Sequence, residues 1–203
     1  NYSGDPTNPI EGQVWYNDST NLFKYSSVAT AGAWSTGGSR NTAMNNSGGA
    51  GTQTAALAFG GYVTSPAPET AKTETWNGTN WTEVNDLNSA RSDMGSSTVG
   101  VATAAITFGG ANPPGTGLAV TESYNGTSWT ELNDLNSARR ALAGAGITTS
   151  ALAFGGAPPS SGGLVVTELW NGSTWTEVND LNTSRRSLSG AGVDNTSALG
   201  FGG

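Results

Sequence analysis

Acidic side chains return at fixed places along this 203-residue chain, and any acid–base chemistry would have to rest on them. Glu74, Glu122 and Glu168 each stand two residues before an aromatic, and Glu83, Glu131 and Glu177 stand two residues after a tryptophan. Asp86, Asp134 and Asp180 follow three residues later. Histidine and cysteine are both absent, which removes the usual zinc, copper and non-haem iron ligand sets, the histidine-based triad and any thiol chemistry. Two uses remain for the acids: a carboxylate pair working as general acid and base, as in glycoside hydrolysis, or oxygen ligation of calcium. A catalytic pair needs two different environments to hold its two pKa values apart, and identical placement in each repeat gives every acid the same surroundings. The aspartate-rich clusters of calcium loops are missing. The acids therefore read as structural, with no catalytic residue, no metal and no cofactor expected. An ion pair from each Asp to the arginine five residues on (Arg91, Arg139 or Arg185) is the predicted use of that part of the set.

Composition narrows the partners. Only 11% of the residues are charged and the net charge is −7, against roughly 25% charged residues in ordinary domains, so the expected surface is polar but largely uncharged. No basic block is present, and without one the release of counterions that drives nucleic-acid binding is lost. The longest apolar-leaning stretch, Ala141 to Gly156, is broken by Thr148, Thr149 and Ser150 and is too short to span a bilayer. With neither an initiator methionine nor a leader, the sequence reads as a mature or trimmed form.

The elements that carry these residues are set by an internal repeat. Trp76-Asn77-Gly78-Thr79-Asn80-Trp81-Thr82-Glu83 returns from Tyr124 and again from Trp170, at steps of 48 and 46 residues. An aromatic followed by two glycines falls at Phe59, Phe108, Phe154 and Phe201, with steps of 49, 46 and 47. A period near 47 fits blade-sized β-sheet units when the interior of each unit reads as strands. Ala55 to Phe59, Ala104 to Phe108 and Ala151 to Phe154 are short apolar runs expected to be strands buried on both faces. Thr73 to Trp76 and Trp81 to Val84 alternate polar and apolar residues around Asn77-Gly78, whose preference for positive φ predicts a tight hairpin. No segment keeps a helical period, so helix content should be minimal. Trp81, Trp129 and Trp175 recur as packing between neighbouring units requires, whereas Trp15 and Trp34 lie outside the regular repeats.

A glycine doublet closing one strand, an aromatic on the next and a tryptophan on the one after resemble the kelch repeat over residues 40 to 203. Arg91, Arg139 and Arg185 stand where kelch repeats often carry an arginine, and the five-residue step from aromatic to tryptophan is short for that family. The resemblance implies an all-β, kelch-type β-propeller. Blades are expected at about 40–88, 89–136 and 137–182, with half-blades at 21–39 and 183–203 and a lead-in at 1–20. Leu22 to Tyr25 with Gly32 to Ser35 would form the N-terminal half, Tyr25 and Trp34 taking the aromatic and Trp roles. Pairing it with the C-terminal half closes four blades and removes two open sheet edges; the alternative is part of a larger propeller. A second resemblance lies in Pro9-Ile10-Glu11-Gly12-Gln13-Val14-Trp15-Tyr16-Asn17, which looks like a segment of tailed-bacteriophage virion proteins.

Function is sought where the repeats differ, because scaffold positions must be alike and loops are free. The stretches after each glycine doublet differ most, and Tyr62, Pro66, Asn112, Pro113, Pro158 and Ser160 are the candidate ligand- or partner-binding residues. Together these features imply a virion or extracellular attachment module that binds surface glycan or neighbouring virion proteins, with homo-oligomers expected. An intracellular kelch adaptor and a carbohydrate-active propeller enzyme are the alternatives.

Overall fold

The computed structural model describes residues 5, 13–25, 36–63, 69–97, 99, 101–113, 115–160 and 162–203. Every regular element among them is a β-strand. Two compact units divide the chain, Asn1–Thr36 and Gly37–Gly203.

The first unit holds an antiparallel hairpin of β1 (Val14–Asn17) and β2 (Leu22–Tyr25), with Trp15 opposite Lys24 and Asn17 opposite Leu22. Its turn is set by Asn17, whose Oδ1 accepts the backbone N–H of Ser19 and of Thr20, both at 3.0 Å. The strand Leu22–Tyr25 thus pairs with residues before it in the chain, across the boundary expected at residue 20. Its expected partner, Gly32 to Ser35 with Trp34, lies outside the described residues.

In the second unit, β3 (Gly48–Gly51), β4 (Ala56–Phe59), β5 (Thr73–Trp76) and β6 (Trp81–Val84) pair in sequence order as one antiparallel sheet. The next repeat gives β7 (Gly95–Ser96) and β8 (Ala105–Phe108), then a short side hairpin of β9 (Ala111–Asn112) and β10 (Thr116–Gly117), then β11 (Thr121–Tyr124) and β12 (Trp129–Leu132). Strands β7, β8, β11 and β12 form its four-stranded sheet. The third sheet runs β13 (Ala143–Ile147), β14 (Ser150–Phe154), β15 (Thr167–Trp170) and β16 (Trp175–Glu177). The last, β17 (Leu188–Asp194) with β18 (Ser197–Gly202), is two-stranded among the described residues. The expected closure of a four-blade ring is therefore not seen in the described sheets.

Adjacent sheets are joined by aromatic packing at equivalent places. Phe59 meets Trp129 of the following sheet edge-on with ring centroids 4.8 Å apart, and Phe108 meets Trp175 in the same way at 4.8 Å. Each indole N–H also donates to a buried threonine of the preceding sheet, Trp129 to Thr73 Oγ1 at 3.1 Å and Trp175 to Thr121 Oγ1 at 3.0 Å. Edge-to-face aromatic pairs add about 0.5–1.5 kcal/mol to the area they bury.

The glycine doublets make the second joint. Gly61, Gly110 and Gly156 each donate their N–H to the carbonyl of the arginine opening the following repeat, Arg91, Arg139 and Arg185, at 2.8–2.9 Å. The conformation requires φ of 117°, 111° and 101° at those glycines, a region that β-carbons disfavour. Close approach of the first strands is the third joint: a β-carbon on Gly190 would lie 2.3 Å from the Gly144 carbonyl oxygen.

The hairpin turns depart from expectation in one respect. Gly78, Gly126 and Gly172 take positive φ, but Asn77, Asn125 and Asn171 do not. Each asparagine instead accepts two backbone N–H groups through its side-chain oxygen, as Asn77 does from Thr79 at 2.9 Å and from Asn80 at 2.8 Å. Asparagine thus serves these turns as an acceptor, and only the glycine supplies the unusual dihedral.

Candidate functional site

The recurrent acids divide into two sets. Glu74, Glu122 and Glu168 are fully buried in the third strands counted outward, β5, β11 and β15, and each faces the arginine opening its own repeat. Arg40 Nε lies 3.5 Å from Glu74, Arg91 pairs with Glu122, and Arg139 Nη1 lies 3.1 Å from Glu168. Burial pushes the Arg139 guanidinium below its ordinary value, opposed first by the charge of Glu168. Asn88 completes the Glu122 site, giving its backbone N–H and its Nδ2 to Oε2, both at 2.8 Å. Asn136 does the same for Glu168 at 2.7 and 2.9 Å. Arginine and amide groups thus hold the oxygens of each of these acids. Removing one member of such a pair costs about 3–5 kcal/mol, because the other charge is left buried alone.

This corrects the predicted Asp to Arg bridge. Asp86, Asp134 and Asp180 instead accept the backbone N–H of Thr73, Thr121 and Thr167 through Oδ1, at 3.0, 3.3 and 3.2 Å. Strand pairing brings the glutamate to the arginine, and no local spacing encodes that. Glu83, in the outer set, pairs with Lys72 on the surface at 2.7 Å.

The second unit holds a concavity of about 590 Å³, within the range usual for small-molecule sites. Asn45, Asn46, Tyr62, Glu69, Ser92 and Asp93 line it, with Ala111, Pro113, Gly115 and Arg140. Bridges build its floor: Asn45 pairs with Tyr62, Tyr62 with Glu69, Ser92 with Ala111, and Arg140 with Ala157. Of the sequence candidates, Tyr62 and Pro113 line this concavity and Asn112 adjoins it through Pro113. Pro158 and Ser160 do not line it, and Pro66 lies outside the described residues. Among the described residues, Glu69 Oε2 and Arg140 Nε, on two of its lining residues, and Asn112 Oδ1, on the neighbour of a third, are buried without a hydrogen-bond partner.

Sequence reasoning missed Asn45, Asn46, Ser92, Asp93 and Arg140, which stand just after the repeat arginines or their equivalents rather than after the glycine doublets. One local signal marks the place. Asn46, Asp93, Ala141 and Ser187 all adopt left-handed backbone, with φ of 51° to 54°. Asparagine and aspartate are the non-glycine residues enriched in that region. These four are linked repeat to repeat: Asp93 N–H donates to the Asn46 carbonyl at 3.2 Å, Ala141 to Asp93 at 2.7 Å, and Ser187 to Ala141 at 2.8 Å.

The geometry defines a class, an array of antiparallel sheets in which, among the described residues, three four-stranded sheets and one two-stranded sheet follow one another in sequence order. A scan against protein-family models gives no match, and neither does a search of curated proteins. No group of three acidic, histidine or cysteine side chains that could hold a metal ion occurs among the described residues.

Proposed function

We propose that the chain is a non-enzymatic attachment module of the kelch-type β-propeller class, and that its concavity binds a neutral, hydroxyl-rich ligand such as a surface glycan. One observation carries this reading: Glu69 and Arg140, which line one hollow, each bury a polar atom, Oε2 and Nε, without a hydrogen-bond partner among the described residues, and so does Asn112 beside the lining Pro113. Leaving a buried polar atom unbonded costs about 1–3 kcal/mol, and sugar hydroxyls supply donors and acceptors together. Tyr62, 40% exposed, adds an aromatic face, and Asn45, Asn46 and Ser92 add uncharged hydrogen-bonding groups. The three complete sheets and the two-stranded fourth fit either a four-blade ring or part of a larger one. The N-terminal resemblance favours a virion or extracellular setting, tail or surface-fibre attachment being the specific form.

The test is glycan-array binding by the intact chain, with Tyr62→Ala and Asn112→Ala beside it. Saturable binding without turnover is expected, weakened about tenfold or more in either variant, or roughly 1.4 kcal/mol. Release of a sugar product that disappears in Glu69→Gln would establish an enzyme instead, and no binding across the array would remove the glycan reading.

A further inference from the structure

We infer that the ligand of the hollow is zwitterionic, a sugar that turns an ammonium group toward Glu69 and Asp93 and an anionic group toward Arg140. The inference rests on the glycan reading of the same hollow and narrows it to one chemical class. Two carboxylates and one guanidinium line the hollow, yet none of the three belongs to an ion pair among the described residues. The arginines of the joints behave otherwise: Arg40, Arg91 and Arg139 each face a buried glutamate. Asp93 Oδ1 accepts from Asn46 Nδ2 at 2.8 Å, a neutral donor that leaves the charge unmatched. Glu69 Oε2 and Arg140 Nε have no hydrogen-bond partner among the described residues.

The scaffold does not call for these charges. Asn45, Ser92 and Arg140 hold equivalent places, because each gives its N–H to the residue after a glycine doublet, at 2.9–3.0 Å. Asparagine and serine make that bond as well as arginine does. Glu69 stands one residue before Thr70, whose N–H goes to Gly61; Leu118 and Leu164 make the same bond to Gly110 and Gly156. The residues equivalent to Glu69 are therefore Gly117 and Gly163. Asp93 shares its left-handed position with Asn46 and Ala141. Charge thus enters the hollow at three places where neighbouring repeats manage without it, and side chains that a scaffold does not need are where a binding role is sought.

The signs of the charges select the ligand by what they penalise. A purely anionic sugar would meet two carboxylates, and a purely cationic one would cover Arg140 without a counter-charge. An uncharged sugar would take all three groups out of water and match none of them, which costs more than leaving a neutral polar group unpaired. A sugar bearing an amine and a phosphate or carboxylate is neutral overall and answers both signs with charge-assisted hydrogen bonds. The guanidinium forks onto the anionic group, and the ammonium carries donors for the carboxylate oxygens.

Five probes separate the contributions: glucose, glucosamine, glucose 6-phosphate, glucosamine 6-phosphate and the sugar-free 2-aminoethyl phosphate. Each is titrated by calorimetry into the intact chain at about pH 6, where an amine is charged. Glucosamine 6-phosphate is expected to bind about 100-fold more tightly than glucose, roughly tenfold from each charged group. Arg140→Ser should remove the advantage of the phosphate and keep that of the amine, and Glu69→Gln should do the reverse. Serine stands at the equivalent Ser92 and glycine at the equivalent Gly117, so neither change removes a bond that the scaffold uses. Equal binding of the four sugars overturns the inference while the glycan reading stands. So does a charge advantage that survives both substitutions, which would place recognition outside the hollow. Binding of 2-aminoethyl phosphate as tight as that of glucosamine 6-phosphate would uphold the charge pattern and remove the sugar. Binding of none of the five overturns the inference, and the glycan array then decides the broader reading by itself.

Discussion

Two threonines in equivalent places are expected to answer the same substitution differently. Thr121 accepts the Trp175 N–H inside a buried contact, so Thr121→Val leaves an indole donor unbonded and should cost about 1–3 kcal/mol. Among the described residues Thr167 Oγ1 has no hydrogen-bond partner, and it is buried. Thr167→Val should therefore change stability by less than about 0.5 kcal/mol or improve it slightly. Urea unfolding of both variants measures the contrast, and equal losses would mean that the Trp to Thr bond contributes nothing. At this scale the sequence showed which positions matter but not what they touch. The repetition of Glu122 and Arg91 marked both as scaffold, yet 31 residues separate them, and only the pairing of β8 with β11 makes them neighbours. Asp86, five residues from Arg91, looked nearer and was not.

Among the elements, the N-terminal hairpin is held by a surface carboxylate whose titration can be followed. Asp5 Oδ1 accepts from Trp15 Nε1 at 3.2 Å, from Asn17 Nδ2 at 2.6 Å and from Lys24 Nζ at 2.9 Å. The Lys24 hydrogen bond, then those of Asn17 and Trp15, hold the Asp5 carboxyl below its ordinary value of 3.8. A depressed folded value means that the charged form is favoured by the folded hairpin. Its contribution is present above the ordinary value and is lost as pH falls through the lower folded one. The Trp15 indole and Asn17 side-chain amide resonances should therefore shift together from about pH 4 downward, and Asp5→Asn should abolish that titration. The clasp also gives Trp15 and Asn17, two residues of strand β1, a shared partner in Asp5. The second to fourth strands of the sheets were legible, because apolar runs ending in Gly-Gly and alternating runs around Asn-Gly mark them; the glycine-rich first strands Gly48–Gly51, Gly95–Ser96 and Ala143–Ile147 were not, because they carry neither pattern. The left-handed positions were not, because asparagine, aspartate, alanine and serine share no type to repeat.

For the whole second unit, repetition implies graded stability, since each sheet draws support from the sheets packed against it. Strands β8 and β14 lie in complete sheets and are largely buried, while all six residues of β18 are exposed. Hydrogen exchange should be slowest in β8 and β14 and fastest in β18. Uniform protection would instead indicate a single cooperative body in which the fourth sheet is as well supported as the others.

The ladder through Asn46, Asp93, Ala141 and Ser187 has a direction, because every link gives its N–H to the residue one repeat earlier. A donor is presented at the Asn46 end and an acceptor at the Ser187 end. Two copies related by a two-fold axis would set donor against donor there, so the ladder cannot continue across an isologous contact. It can continue only within a closed circle or from head to tail. Any assembly that extends this ladder is therefore cyclic or filamentous, and every subunit in it faces the same way round.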